Sequence, residues 1–387
     1  MTFSGEKMVE FVTRICKECG PRLAGSEGEK KAGEILYQEI SEFCDEVERE
    51  HFRSRPGGFL DYIWFTAGFY LAGVAIYLLG HPLIAAALML IAFLIFLFQQ
   101  CLHYEIIDFF FPEVEEFHVV GKIRPNGEAK KLVILSAHYD SAYEFPLLGK
   151  LKTKSIYIIG PAVAITLLTM VLSVVEAFIP STVINTVQKP LLLIGSILLL
   201  YIAFNLRSNR GVLGANDDLA GLAAVIEAGR FISQNRPENT EVWIVAFAGE
   251  EHMRGSKRFV QKHYDELKGR NAIMFNLECP SADYFLIATE EKMFFAKHSP
   301  LAVEYAKKAA ENIDFDVKVE ALPFAGSDAA NFSRKGLHAV TLFGLSAKEH
   351  APYYWHTMDD TPENLKPEPI AKAAEMAKNF VYVVDSS

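Results

Sequence analysis

An α/β fold, with a largely parallel central sheet flanked by helices and interrupted by two helical hairpins, is the architecture this chain predicts. Two observations carry that expectation. Short apolar runs of the buried-strand kind alternate with helical periodicities through the polar parts of the chain. Between them lie two long apolar stretches, 62–101 and 155–206, each broken near its middle. A buried core helix needs only about 10–14 apolar residues and a bilayer crossing about 20, so both stretches read as transmembrane hairpins.

Taken in order, helical periodicity covers 7–19 and 28–43, and strand patterns follow at 47–52, 117–123 and 131–137. The first apolar stretch has no Asp, Glu, Lys or Arg from 62 to 104, and Gly80-His81-Pro82 divides it into spans of roughly 62–80 and 83–101. The second reads as spans of roughly 155–177 and 190–206, joined by a link containing Pro180 and Pro190, with Glu176 and Lys189 beside it. Beyond it come a helix at 219–232, opened by Asp217 and Asp218 at its positive end, a strand at 241–248 and a helix at 256–264. A strand at 272–277, a helix at 300–312, strands near 316–321 and 339–343 and a closing helix at 367–384 complete the order. The polar segments 1–61, 102–154 and 207–387 therefore form one domain, with 62–101 and 155–206 inserted into it.

Composition narrows the function. The chain of 387 residues is 51% hydrophobic with a formal net charge of −10, and its mean hydropathy is +0.15. The acidic balance excludes a nucleic-acid partner, which needs a basic face. Five scattered cysteines make no disulfide framework, and Cys16-x-x-Cys19, without a second pair, suits one face of a helix. Residues 1–7 lack the pattern of a secretory leader. Arg53, Arg55, Lys150, Lys152, Lys154, Arg207 and Arg210 flank the hairpins, while the tips carry only His81 and Lys189. By the positive-inside bias, the polar segments face the cytoplasm of a multi-pass membrane protein.

Three chemically capable positions fall directly after sheet strands: His138, Glu250–Glu251 and Glu278. Open α/β sheets place their sites at that edge. Each position also has an ordinary reading. His138-Tyr139-Asp140 is a common pattern, though Asp140 can accept the second imidazole N–H and fix the tautomer. Glu250–Glu251 can be a solvated pair, although adjacent carboxylates after an apolar strand call for a cation. Asp217–Asp218 can be a helix cap, and His356 sits among aromatics where a packed core histidine is usual. His252 and His263 read as helix-surface residues. His350, Tyr353 and Tyr354 are candidates for substrate contact whose plainer role is structural.

Jointly the motifs are specific. Gly20-Pro21-Arg22-Leu23-Ala24-Gly25-Ser26, His138-x-Asp140, Gly214-Ala215-Asn216-Asp217-Asp218-x-x-Gly221, Gly249-Glu250-Glu251, Asn276-Leu277-Glu278 and His356-Thr357-x-x-Asp360-Thr361 occur in that order. The set resembles the co-catalytic di-zinc aminopeptidase family, kin to glutamate carboxypeptidase and glutaminyl cyclase, across essentially every polar segment. The resemblance implies a zinc exopeptidase fold, a peptide substrate and two Zn2+ per chain. Asp217 would bridge the ions, His138 and Glu278 would complete one site, and Glu251 and His356 the other. Glu250 would be the general base and Asp140 the partner of His138. Three protein ligands per zinc leave positions for water.

Two departures stand out: Glu278 occupies a position where the family usually has Asp, and Gly326-Ser327-Asp328-Ala329-Ala330 lacks a histidine that relatives often carry. The hairpins have no counterpart in soluble members. Alternatives are a metallo-carboxypeptidase, for which no arginine is singled out, and an inactive membrane scaffold, against which the intact ligand set argues. A single-zinc glutaminyl cyclase conflicts with two complete sites, and a transporter with nearly uncharged spans. Oligomeric state leaves no mark on the sequence.

Overall fold

The computed structural model describes residues 3–387, which resolve into two units, 3–54 with 113–144 and 210–387, and 55–112 with 145–209. The first unit contains a nine-stranded sheet. Its strands are β1 (Glu46–Ser54), β2 (Val114–Ile123), β3 (Lys131–His138), β4 (Thr240–Phe247), β5 (Ile273–Glu278), β6 (Tyr284–Glu291), β7 (Ala296–Lys297), β8 (Val317–Leu322) and β9 (His338–Leu345). They run in the order β1-β2-β4-β3-β5-β9-β6-β7, with β8 beside β6.

The sheet is mixed, which corrects the expectation of a largely parallel one. Strands β4, β3, β5 and β9 form a parallel centre. On one side β2 joins β4, and β1 joins β2, in antiparallel pairs. On the other, β6 pairs antiparallel with β9 and β7, and parallel with β8. Connection length explains the difference. Helices Ala220–Gln234 and Gly255–Gly269 supply the crossovers that parallel neighbours require, whereas the short link 279–283 has room for none, so β6 turns back.

Both faces of the sheet are covered, as period-2 side-chain alternation demands. Val133, Leu135 and Phe275 pack with Val12, Leu36, Leu222, Ala306 and Phe380 from helices on one face. Ile134, Trp243 and Val245 pack with Phe259, Val260 and Phe332 on the other. Helix Gly5–Cys19 contains both Cys16, which is buried, and Cys19.

The second unit is helical. Its main helices are Tyr62–Leu78, Pro82–Ile95 continuing as a wider turn through Cys101, Ile156–Phe178 and Thr182–Asn205. Tyr70, Ala85, Met89, Ala162, Leu192 and Leu199 form its core, while Leu83, Ile84, Leu168, Leu193 and Ile197 are exposed. By length and composition, Pro82–Cys101, Pro146–Phe178 and Thr182–Asn205 are long and apolar enough to cross a membrane; Tyr62–Leu78 is shorter. Glu176 is not left bare: it accepts from Asn185 Nδ2 at 3.0 Å and from the Tyr77 hydroxyl. The last helix starts at Thr182 and runs through Pro190, so the link is much shorter than the two prolines suggested. A proline interrupts one main-chain bond, and apolar bundles tolerate that where neighbouring groups compensate.

Candidate metal centre

The predicted residues meet at the carboxyl edge of the parallel centre. His138 ends β3 and Glu278 ends β5, while Glu250 and Glu251 lie in the turn after β4. Asp217 sits in an irregular turn before helix Ala220–Gln234, with non-helical backbone at both Asp217 and Asp218. The two aspartates therefore do not act as the simple helix opening that the sequence suggested. His356 comes from the loop between β9 and the closing helix Pro367–Asp385.

Two groups share Asp217. Ligand-type atoms of His138, Asp217 and Glu278 lie within 4.8 Å of one another, and so do those of Asp217, Glu251 and His356. The carboxylate of Asp217 divides between them: Oδ1 is 3.3 Å from His138 Nε2, and Oδ2 is 3.2 Å from His356 Nε2. Glu278 Oε2 is 3.7 Å from His138 Nε2 and Glu251 Oε2 is 3.1 Å from His356 Nε2. Glu250 stands beside the first group, with Oε2 at 3.8 Å from His138 Nε2. Asp140 Oδ1 faces His138 Nδ1 at 3.4 Å, long for a hydrogen bond but aimed at the ring nitrogen turned away from the cluster.

The charge state of this cluster fits a cation site. Burial, with neighbouring carboxylates such as Asp328 beside Glu250 and Asp218 beside Glu278, pushes both glutamates well above the usual carboxylate range. Burial alone would depress both imidazoles, yet the surrounding carboxylates outweigh it, holding His138 well above its ordinary value and raising His356 to about 10. The same imidazoles hold Asp217 low despite its burial. Imidazole nitrogens and carboxylate oxygens in threes are the donor set zinc takes, so these residues fit that ion.

Two further carboxylates order the ligands. Asp140 accepts from the Glu250 N–H at 3.2 Å and the Glu251 N–H at 3.1 Å, tying the turn after β4 to the end of β3. Asp218 Oδ1 accepts from the Cys279 N–H at 2.9 Å, securing the residue after Glu278. A Cβ at Gly221 would come within 2.4 Å of that carboxylate, which gives the glycine of the Asp217-Asp218-x-x-Gly221 motif a steric reason.

Residues 194–381 match the model of peptidase family M28. That match covers just under half of the chain, so over this part the chain is similar to the M28 peptidases. Aminopeptidase YwaD of Bacillus subtilis (strain 168) is 26% identical to this chain over 179 residues, covering 44% of the chain and 37% of the relative. The match thus spans well under half of that curated protein. Among solved structures, BSAP, a zinc aminopeptidase from Bacillus subtilis, has a TM-score of 0.59 at 16% identity, covering 98% of this chain and 95% of its own. A Zn-dependent exopeptidase from Parabacteroides distasonis ATCC 8503 matches with a TM-score of 0.59 at 15% identity over 99% of both chains. Bacteroides thetaiotaomicron glutaminyl cyclase bound to N-acetylhistamine also reaches 0.59, at 14% identity over 99% of this chain and 98% of that one. At such identities the likeness speaks to the fold.

His252 is buried, not on a helix surface, and its Nε2 lies 3.1 Å from Glu116 Oε1. His263 is on a helix, but its ring is largely covered and pairs with Glu50 at 2.7 Å. In both cases the acidic partner comes from β1 or β2, and that contact is not visible along the chain. Tyr353 donates to Asp283 Oδ2 at 2.5 Å, and His350 Nδ1 lies 3.1 Å from the Tyr284 hydroxyl. Asn276, quoted only as part of a motif, donates to Glu278 Oε1 at 2.8 Å. Its position two residues before a strand-end ligand, on the same strand face, was the available signal.

Proposed function

We propose that this chain is a membrane-embedded di-zinc aminopeptidase that removes N-terminal residues from peptides. The observation that carries the reading is the division of Asp217, whose two oxygens face separate imidazoles at 3.3 and 3.2 Å. His138, Asp217 and Glu278 would hold one zinc, and Asp217, Glu251 and His356 the other. Bound zinc supplies Lewis acidity, making water a stronger acid and a peptide carbonyl a better electrophile.

The protein's own groups do the proton work. Glu250 takes a proton from the attacking water at Oε2, the oxygen that faces His138, and returns it to the leaving amine. Burial, which raises its proton affinity, suits a group that must both accept and release a proton near neutral pH. Asp140 keeps the Nδ1 edge of His138 engaged, leaving Nε2 directed at the cluster. The names of the aminopeptidase relatives favour an N-terminal over a C-terminal cut.

Two hairpins insert in the bilayer under this reading, with Tyr62–Leu78 as the shorter arm of the first. The basic flanks put the catalytic domain, formed by 1–61, 102–154 and 207–387, on the cytoplasmic side. Purified in detergent, the protein should bind two zinc ions per chain and hydrolyse aminoacyl chromogenic substrates. Glu250→Gln should lower turnover by about 10²–10⁴-fold while retaining its zinc. Turnover equal to that of the unaltered protein would remove Glu250 from the base role. An acetylated N-terminus should block cleavage; continued cleavage would point to an endopeptidase or carboxypeptidase.

A further inference from the structure

The turn that delivers Asp217 is held by groups of opposite polarity from opposite ends of the chain. Arg22 is fully buried, and its guanidinium donates to main-chain carbonyls. Nε reaches Tyr139 O at 2.5 Å, Nη1 reaches Leu213 O at 2.6 Å and Gly20 O at 3.4 Å, and Nη2 reaches Gly214 O at 3.0 Å. Asp360, 1% exposed, takes the other polarity of the same turn: Oδ1 accepts from the Asn216 N–H at 2.7 Å and Oδ2 from the Asp217 N–H at 3.2 Å. A guanidinium thus lies on the carbonyls of 213–214 and a carboxyl group on the amides of 216–217. The turn is too tight for a side chain at Gly214, whose φ is +55° and where a Cβ would lie 2.4 Å from Asp217 O and 3.0 Å from Arg22 Nη2.

These contacts reach the ligands themselves. Tyr139, whose carbonyl Arg22 engages, follows His138; Asp360 follows His356 by one helical turn's worth of chain. Each of the two groups therefore links the Asp217 turn to one of the two histidines that Asp217 faces. We propose that Arg22 and Asp360 are positioning residues for the shared carboxylate, fixing the Asp217 turn relative to His138 on one side and His356 on the other. The inference rests on the two-zinc reading of this site. Its physical basis is that a shared ligand displaced by a few tenths of an ångström is wrong for both ions at once. A planar guanidinium spans four separated carbonyls, and a lysine's point charge does not.

A plainer role would be to brace the chain where the second insertion leaves and returns. Ser141 shares that bracing: its hydroxyl accepts from the Arg22 N–H at 2.8 Å and donates to Val212 O at 3.0 Å. Its hydroxyl bonds to none of residues 213–217. Arg22→Lys, Asp360→Asn and Ser141→Ala in the full-length protein therefore separate the two roles. Zinc affinity would be measured by competition with a chelator, and geometry by the electronic spectrum of the cobalt-substituted protein. Arg22→Lys and Asp360→Asn should each weaken both ions by about 10–100-fold, the range seen when groups supporting metal ligands are removed, and should alter the cobalt spectrum. Ser141→Ala should lower the melting temperature and leave both readouts unchanged.

A folded Arg22→Lys protein with unaltered affinities and spectrum overturns the proposal. So does equal weakening in Ser141→Ala, which would assign the effect to bracing alone. If Arg22→Lys does not fold, Asp360→Asn decides, because it keeps shape and one acceptor; unaltered zinc binding there also overturns it. Fewer than two ions in the unaltered protein would sink the two-zinc reading first, and the proposal with it.

Discussion

Glu278 carries one methylene more than the aspartate that the sequence resemblance leads one to expect, and its surroundings show how the extra length is taken up. Oε1 is engaged by Asn276 Nδ2 at 2.8 Å, and Asn276 Oδ1 in turn accepts from Ser136 Oγ at 2.6 Å. That leaves Oε2 facing His138. The chain Ser136–Asn276–Glu278 thus commits one oxygen and presents the other. Asn276→Ala should weaken zinc at the His138 group by about tenfold and leave the His356 group unaltered. A stepwise chelator titration would show it, and equal loss at both groups would contradict it. The ligand types at such positions are legible along the chain because His, Asp and Glu at strand ends are unusual. Their supports are not: Asn276 reads as an ordinary strand residue until β3 and β5 are paired.

Among the elements, the turn after β4 has the most exacting geometry. It must present Glu250 beside the first group and Glu251 to the second, then enter helix Gly255–Gly269 at once. Gly249 has a φ of +71°, and the Gly255 N–H donates to Gly249 O at 2.9 Å. A Cβ at Gly255 would lie 1.7 Å from Ala248 O, a main-chain atom at the end of the strand. Gly255→Ala should cost about 1–3 kcal/mol through backbone displacement, lowering the melting temperature and, because the same turn holds Glu250, turnover as well. An alanine protein with both unchanged would show that the turn relaxes without moving its carboxylates. The strand and the helix were readable from periodicity; the closeness of the turn was not, since it depends on where the chain returns in space. The same limit hid β6, where the sheet reverses direction after the short link 279–283.

At the scale of the whole molecule, both insertions leave and re-enter the first unit at neighbouring points. Ser54 pairs with Val114 at the end of the β1–β2 ladder, so the first insertion occupies the place of a hairpin turn. The Glu144 N–H donates to Arg210 O at 2.8 Å and Tyr143 bridges Gly211, so the second is closed at its stem as well. Replacing 55–112 and 145–209 with short turns should yield a protein that remains soluble without detergent and binds zinc with the affinity of the full chain. Aggregation, or loss of zinc from a folded product, would show that the helical unit is needed to form the site.

By itself the sequence determined the chemistry on offer: imidazoles and carboxylates behind apolar strands, in an order that resembles one enzyme family, and apolar stretches too long for an ordinary core. These are local properties, written in residue type and spacing. Only the tertiary structure decided that Asp217 turns one oxygen to each histidine. It alone revealed the mixed sheet, the burial of His252 and the grip of Arg22 and Asp360 on the Asp217 turn. Each of those depends on hydrogen bonds and packing between segments far apart in the chain, and such contacts leave little trace in any one segment.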